Sequence, residues 1–366
     1  MGLVIDCDSH VMEPADLWQR YLEPEFRDRA IRIEMRDGIE HLIIGEQSVL
    51  SGVLGGLGGA HLTPAELFGT GASYAAGCEP ASYEPKARIK LLDSWGVDRG
   101  VLFPTIGILP FPTDDMKLAN AYCRAYNRWQ MDFAQEASGR AVPIALVNWH
   151  DRDEAVREIG HCIKHGFRGL FVPPEVIDGR RPGDPYFDPI WRICEEAGIP
   201  GCLHVIVRFT AQGGLFGGWH GTRPGSIFTF GLGATGQLMP AIASMVTDQL
   251  FERFPKLKIV SVEAGCGYAA YLMDRLDEKH GRFGGTPLKP SEYIERNCYF
   301  VAEPEERTIG AMLDLVGEDR ILWGSDYPHV DSYLEAPEQI RAAVAGLSPA
   351  RQAAVLGENA RKVFGV

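Results

Sequence analysis

The 366-residue sequence has no Cys-x-x-Cys pair; its eight cysteines are scattered at Cys7, Cys78, Cys123, Cys162, Cys194, Cys202, Cys266 and Cys298. A chain of this length needs no disulfide staples, so the scatter reads as reduced, mostly buried thiols. No run of Lys or Arg occurs, and 36 basic against 49 acidic residues leave a net charge of -13 at pH 7. The basic footprint that a phosphate backbone requires is missing, which excludes nucleic acid as a partner. No apolar run approaches the roughly 18 residues of a membrane span, which excludes a membrane partner, and the opening MGLVIDCDSH has neither a basic leader region nor a cleavage site. A cytoplasmic protein is expected. Also missing are any flavin, haem or iron-sulfur motif, internal repeats and a low-complexity tail.

What is present is the composition of a globular protein, 45% hydrophobic and 23% charged with a mean hydropathy of -0.10. Short apolar runs alternate with stretches of helical periodicity, the signature of βα units and a parallel sheet. The strand candidates are LVIDC near residue 3, GVLFP near 100, AVPIALVNW near 141, GLFVP near 169, GCLHVIV near 201, KIVSVEA near 258, CYFVA near 298 and RILWGSD near 320. This set predicts an α/β fold, a (β/α)8 TIM barrel forming one domain over residues 1–366. From Asp114 to Ala137, Leu118, Tyr122, Ala125, Tyr126, Trp129 and Phe133 form a helical apolar stripe, and Asp151 starts a second helix that ends before Gly166. Insertions are expected at about 28–85, with a β-hairpin turning at Asp37-Gly38 and then a glycine-rich loop, and at 208–240, as a long loop. Both are assigned to the C-terminal mouth.

Active sites of such barrels lie at the C-terminal strand ends, so polar residues that close apolar runs are the candidates. Strand one ends in Asp6-Cys7-Asp8-Ser9-His10 with Glu13 beyond; strand five carries His204, strand six Glu263, and strand eight ends in GSDYPH with Asp326, Tyr327 and His329. These are metal-ligand residue types. Asp8 and His10, two apart on a strand, point the same way and can share one ion. The bland alternatives are turn or helix caps for Asp8, Glu13 and Asp326, a packed core histidine for His204, and a salt-bridge partner for Glu263.

With these motifs the chain resembles the metal-dependent amidohydrolase superfamily, in particular amidohydrolase family 2, whose members include aromatic-acid decarboxylases. The resemblance rests on DCDSH, LHVIV, VEAG, LWGSDYPH and the closing ENARKVF. It implies metal contact from Asp8, His10, His204 and Asp326. The chain departs from the family in having Asp8-x-His10 for His-x-His or Glu-x-His, and Glu263-Ala264-Gly265 where decarboxylases carry a histidine before a glycine. It also has Glu175, and no lysine, after strand four.

Asp8, Glu13, Glu263 and Asp326 with His10, His204 and His329 overfill one zinc site and suit two divalent ions. Hard oxygen donors with imidazole favour iron, as Fe/Fe or Mn/Fe, with zinc the alternative. That set resembles a carboxylate-rich branch with a dinuclear iron or manganese-iron centre, which implies a monooxygenase hydroxylating a small organic substrate. Asp8, His10, His204, Glu263 and Asp326 would carry the catalysis, and an electron donor or reductase would be a partner. The alternative is a metal-dependent hydrolase or non-oxidative decarboxylase. Substrate contacts are expected from His150, Arg208, Trp219 and Tyr327, with Phe209, Leu215, Phe216, Phe228, Phe230, Met239 and Arg223 available for a bulky apolar molecule. A homo-oligomer, a dimer, is expected.

Overall fold

Each strand candidate forms a strand in the computed structural model, which describes residues 2–366 except 53, 64, 67–71, 110, 112 and 207–226, and leaves the side chains of 227–230 and 234 undescribed. In chain order the strands are β1 (Ile5–His10), β2 (Arg32–Arg36), β3 (Ile39–Ile44), β4 (Gln47–Ser51), β5 (Arg99–Phe103), β6 (Ala141–Ala145), β7 (Gly169–Val172), β8 (Gly201–His204), β9 (Ile259–Val262), β10 (Cys298–Ala302) and β11 (Ile321–Trp323). β1 and β5 to β11 make one parallel sheet in the order β1-β5-β6-β7-β8-β9-β10-β11. A parallel bridge between Ser9 and Tyr327 brings its two edges together into a nearly closed barrel. The (β/α)8 TIM barrel expected from the sequence is therefore what the chain forms. Its strands are buried almost throughout, which is why they read as continuous apolar runs and not as alternating ones.

Both long helices follow their stripes. Met116–Glu136 buries Leu118, Tyr122, Ala125, Tyr126, Trp129 and Phe133, and Asp115 caps it by accepting from the Lys117 and Leu118 amides. Arg152–Lys164 starts on Asp151, whose side chain accepts from the Glu154 amide.

The first insertion is more ordered than the expected hairpin and loop. Asp37 and Gly38 take left-handed φ of +51° and +77°, the turn that pairs β2 with β3, and β4 adds a third antiparallel strand. The glycines that follow serve close packing. A Cβ on Gly58 would stand 2.1 Å from the Gly77 carbonyl oxygen, and one on Gly77 would stand 2.3 Å from that of Gly55. The segment Leu54–His61 also reaches the end of the barrel, where the Ala60 amide donates to the Pro328 carbonyl at 3.0 Å. In the second insertion the expected loop is corrected over its last part: Ile227–Thr247 is a helix with Pro240 inside it. Its many glycines disguised an apolar face on which Leu238, Ala241, Ile242, Met245 and Val246 are buried. No helix among the described residues is long and apolar enough to cross a membrane.

Candidate metal centre

The last residues of β1 meet the segment after β11 main chain to main chain. The Asp8 carbonyl accepts from the Ser325 and Asp326 amides at 3.0 and 2.7 Å, and the His10 amide donates to the Tyr327 carbonyl at 2.7 Å. Only glycine permits this approach, since a Cβ on Gly324 would lie 2.2 Å from the Asp8 Cβ. Residues more than three hundred positions apart are so placed side by side. Buried Asp6 pins the same seam, accepting from the Ser325 amide at 2.9 Å and its hydroxyl at 2.6 Å. Burial pushes the Asp6 carboxyl up to about 7.

His10 and His204 are both fully buried. His10 Nδ1 lies 2.8 Å from the Pro104 carbonyl and His204 Nδ1 2.9 Å from its neighbour Val205's carbonyl. A carbonyl only accepts, so both Nδ1 atoms carry the proton and both Nε2 atoms present lone pairs. Those two Nε2 atoms face each other at 3.1 Å, an arrangement with no hydrogen to hold it. Asp8 Oδ1 stands 3.3 Å from His10 Nε2 and 3.6 Å from His204 Nε2. Asp326 Oδ1 is 3.4 Å from His10 Nε2, and Glu263 Oε2 is 3.5 Å from His204 Nε2. Asp8 Oδ1, Glu263 Oε2 and Asp326 Oδ1 are buried without a hydrogen-bond partner. His329 Nδ1 is 2.8 Å from Asp326 Oδ1 without the alignment of a hydrogen bond, and its Nε2 meets the Thr105 hydroxyl at 3.1 Å.

These orphaned donors fit a cation. Donors about 2.1 Å from a shared ion lie about 3.0 Å apart at right angles and about 3.4 Å apart at tetrahedral angles. The 3.1, 3.3 and 3.6 Å edges of the Asp8, His10 and His204 triangle match that spacing. Two overlapping groups could each hold an ion, Asp8 with His10 and His204, and His10 with Glu263, Asp326 and His329.

The electrostatics agree. Burial holds the His10 and His329 imidazoles below their ordinary value. Burial pushes Glu263 well up, helped by the charges of Asp8, Asp331 and Glu303, and pushes Asp326 well up, helped first by Glu263. Among the described residues, no Lys or Arg forms an ion pair with these carboxylates. Glu263 and Asp326 also sit at left-handed φ of +59° and +56°, a conformation costing about 1–3 kcal/mol per non-glycine residue that tends to persist at functional sites.

Of the sequence candidates, Glu13 does not join either group: its carboxylate accepts from the amides of Thr105, Ile106 and Gly107. His150 lies apart, its half-exposed ring paired with Asp178 at 3.0 Å. Tyr327 packs edge-on against Trp95, ring centroids 5.4 Å apart, and its hydroxyl donates to Glu79. Arg208, Phe209, Leu215, Phe216, Trp219 and Arg223 lie outside the described residues, as do the side chains of Phe228 and Phe230. Glu303 was missed, although it closes the apolar run CYFVA as the other candidates close theirs. Burial pushes its carboxyl well up, with Asp8 the next cause. Arg88 was also missed; it is fully buried and donates to the Ser9 hydroxyl, the His10 carbonyl and the Ala81 carbonyl.

The model of the amidohydrolase family matches residues 5–366. The chain belongs to that family. It is 24% identical over 296 residues to the 2-amino-3-carboxymuconate-6-semialdehyde decarboxylase of Dictyostelium discoideum, covering 78% of this chain and 77% of that protein. Among solved structures, an amidohydrolase from Mycobacterium avium subsp. paratuberculosis K-10 superposes with a TM-score of 0.81 at 23% identity, over 100% of this chain and 99% of its own. The 5-carboxyvanillate decarboxylase of Novosphingobium aromaticivorans, complexed with manganese and 4-hydroxy-3-methoxy-5-nitrobenzoic acid, gives 0.70 at 20% identity, over 100% and 96%.

These relatives overturn the monooxygenase expectation. The relatives with a stated reaction are decarboxylases, and loss of carbon dioxide consumes neither dioxygen nor external electrons. The reductase that the oxygenase reading demanded goes with it. The carboxylate-rich donor set misled because it fits a divalent ion of any role.

Proposed function

We propose that the protein is a metal-dependent, non-oxidative decarboxylase of a small aromatic or unsaturated carboxylate. The observation that carries this is the convergence of Asp8, His10 and His204, with Asp326 beside His10, and with unshared lone pairs at the mouth of an amidohydrolase barrel, in a chain similar to a decarboxylase. Those four residues would hold one divalent ion, and manganese or iron suits their oxygen and imidazole donors better than a thiophilic metal. The ion would supply positive charge that binds and polarises the substrate carboxylate.

The chain's own groups do the rest. His10 and His204, each fixed through Nδ1 by a carbonyl, keep their Nε2 lone pairs aimed at one point. Glu263 takes the place of the histidine expected on strand six. Its side chain is 20% exposed against 2% for Asp8 and 7% for Asp326, so it is the cluster carboxyl most open to the mouth. Burial raises its pKa in the metal-free chain, and a carboxyl at this place is within reach of a substrate carbon at the mouth as a proton donor. As the bond between the substrate carbon and its carboxylate breaks, the electron pair stays on the carbon and carbon dioxide leaves. The Glu263 carboxyl protonates that carbon and recovers its proton from water.

A two-ion occupancy, with Glu263, Asp326 and His329 on the second ion, is the competing arrangement supported by the second donor group; it would remove Glu263 from proton transfer. The function is tested under nitrogen, with manganese-loaded protein and a panel of hydroxylated and amino-substituted aromatic acids. Carbon dioxide equal to substrate lost, with no change when air is admitted, is expected. Turnover that needs air and an electron donor refutes it.

A further inference from the structure

We propose that Glu13 is a positioning residue: by clamping the loop Pro104–Gly107 it fixes the Nδ1–H tautomer of His10 and supports the ring of His329, two histidines of the cluster. Glu13 is fully buried just past β1. Its Oε1 accepts from the Thr105 and Gly107 amides at 3.1 Å each, and its Oε2 from the Ile106 amide at 2.8 Å. Successive amides converging on one side chain form a nest that fixes the loop. Glu13 is itself held, because the Tyr74 hydroxyl donates to its carbonyl at 2.6 Å. The loop has little room to yield, as a Cβ on Gly107 would lie 2.6 Å from the Pro104 Cβ and 2.8 Å from Leu146 Cδ2.

The clamped loop makes two contacts to the cluster. The Pro104 carbonyl receives His10 Nδ1–H at 2.8 Å, and the Thr105 hydroxyl meets His329 Nε2 at 3.1 Å. With the Pro104 carbonyl in place, His10 Nε2 is the unprotonated nitrogen and faces Asp8, His204 and Asp326. If that carbonyl swings away, the proton can occupy either nitrogen and half the lone-pair direction is lost. Glu13 thus acts on the cluster through two carriers without touching it. The inference rests on the metal reading only for its consequence; the tautomer is a property of the metal-free chain.

The test uses E13Q, E13D, T105V and T105S in the full chain, with nitrogen-15 NMR of the histidine rings in metal-free protein and Mn2+ affinity by chelator competition. In wild type, His10 is expected as the Nδ1–H form. E13Q, which turns an amide NH2 toward amide donors, is expected to mix the two forms and weaken Mn2+ about 10–100-fold, as partners of ligating histidines commonly do. E13D should recover part of both losses. T105V removes the hydroxyl and leaves the Glu13 amide contacts, so it should shift the His329 ring signals with the His10 tautomer unchanged, and T105S should restore them. An unchanged His10 tautomer with Mn2+ affinity within twofold of wild type in E13Q overturns the assignment. Should E13Q not fold, an E13D chain with the wild-type His10 tautomer and Mn2+ affinity overturns it instead. A wild type that binds no Mn2+ refutes the metal reading, and the tautomer comparison then decides the Glu13 assignment alone.

Discussion

Replacing Gly324 by alanine tests how the two ends of the barrel are joined. The new Cβ would stand 2.2 Å from the Asp8 Cβ, 2.9 Å from the Asp8 amide nitrogen and 3.0 Å from its Cα, where carbon atoms normally rest about 3.5–4.0 Å apart. Since the opposing atoms belong to the backbone and to the first side-chain carbon, no flexible tip can move aside. β1 and the segment after β11 must separate by more than 1 Å at the point where Asp8 accepts from the Ser325 and Asp326 amides. Overpacking of this kind costs about 1–3 kcal/mol, and the rigid neighbours put this case at about 3 kcal/mol. At about 2.1 cal/mol/K per residue, 366 residues give an unfolding entropy of about 0.8 kcal/mol/K, so Tm should fall by about 4 °C. Displaced Asp8 should also weaken divalent-ion binding about tenfold or more. Differential scanning calorimetry and chelator competition read both effects. Gly346→Ala is the control, since its Cβ meets nothing within 4 Å and should change Tm by about 1 °C or less. The reasoning fails if G324A matches G346A in both measurements.

Three further outcomes follow from the same geometry. E263Q should retain its metal while the decarboxylation rate falls about 10^2–10^4-fold, read by carbon dioxide release beside metal analysis; loss of the metal instead would make Glu263 a ligand. R88M leaves the Ser9 hydroxyl and the Ala81 and His10 carbonyls without their buried donor, so a calorimetric Tm lowered by about 4 °C, for about 3 kcal/mol, is expected; an unchanged Tm would mean that burying the guanidinium costs as much as its bonds return. Burial moves the Glu13 carboxyl from an ordinary 4.5 to about 7 in the folded chain. Its contribution is therefore complete below about pH 4.5 and lost as pH rises through about 7. The gap corresponds to about 3 kcal/mol at about 1.4 kcal/mol per pH unit. Metal-free wild type should lose stability between pH 5 and 8 in denaturant titrations, and E13Q should show a flatter dependence; parallel curves contradict this.

The barrel was legible because parallel strands buried on both faces carry unbroken apolar runs, and because the acids and histidines of the cluster sit where those runs stop. Asp8 and His10 could be paired from their spacing alone. Their meeting with Asp326 could not, since it depends on main-chain contact at Gly324 across nearly the whole sequence. Glu13 shows the opposite failure. Its type and place suggested a ligand, but the amides of Thr105, Ile106 and Gly107 claim it, and no sequence pattern signals backbone donors. Arg88 escaped notice because a lone arginine in an amphipathic helix reads as solvated, whereas here it is buried under the β1 end and lies 5.0 Å above the Tyr327 ring. The helix Ile227–Thr247 was hidden by glycines and Pro240; burial of one face overrides their poor propensity.

The most direct test is the divalent metal bound per chain after purification without chelator, measured by plasma mass spectrometry on wild type and on D8N and H204N. One manganese or iron ion per wild-type chain, and almost none in either variant, is the expected result. Two ions per chain would contradict the single-ion centre, and an ion retained in both variants, or none in wild type, would contradict the site itself.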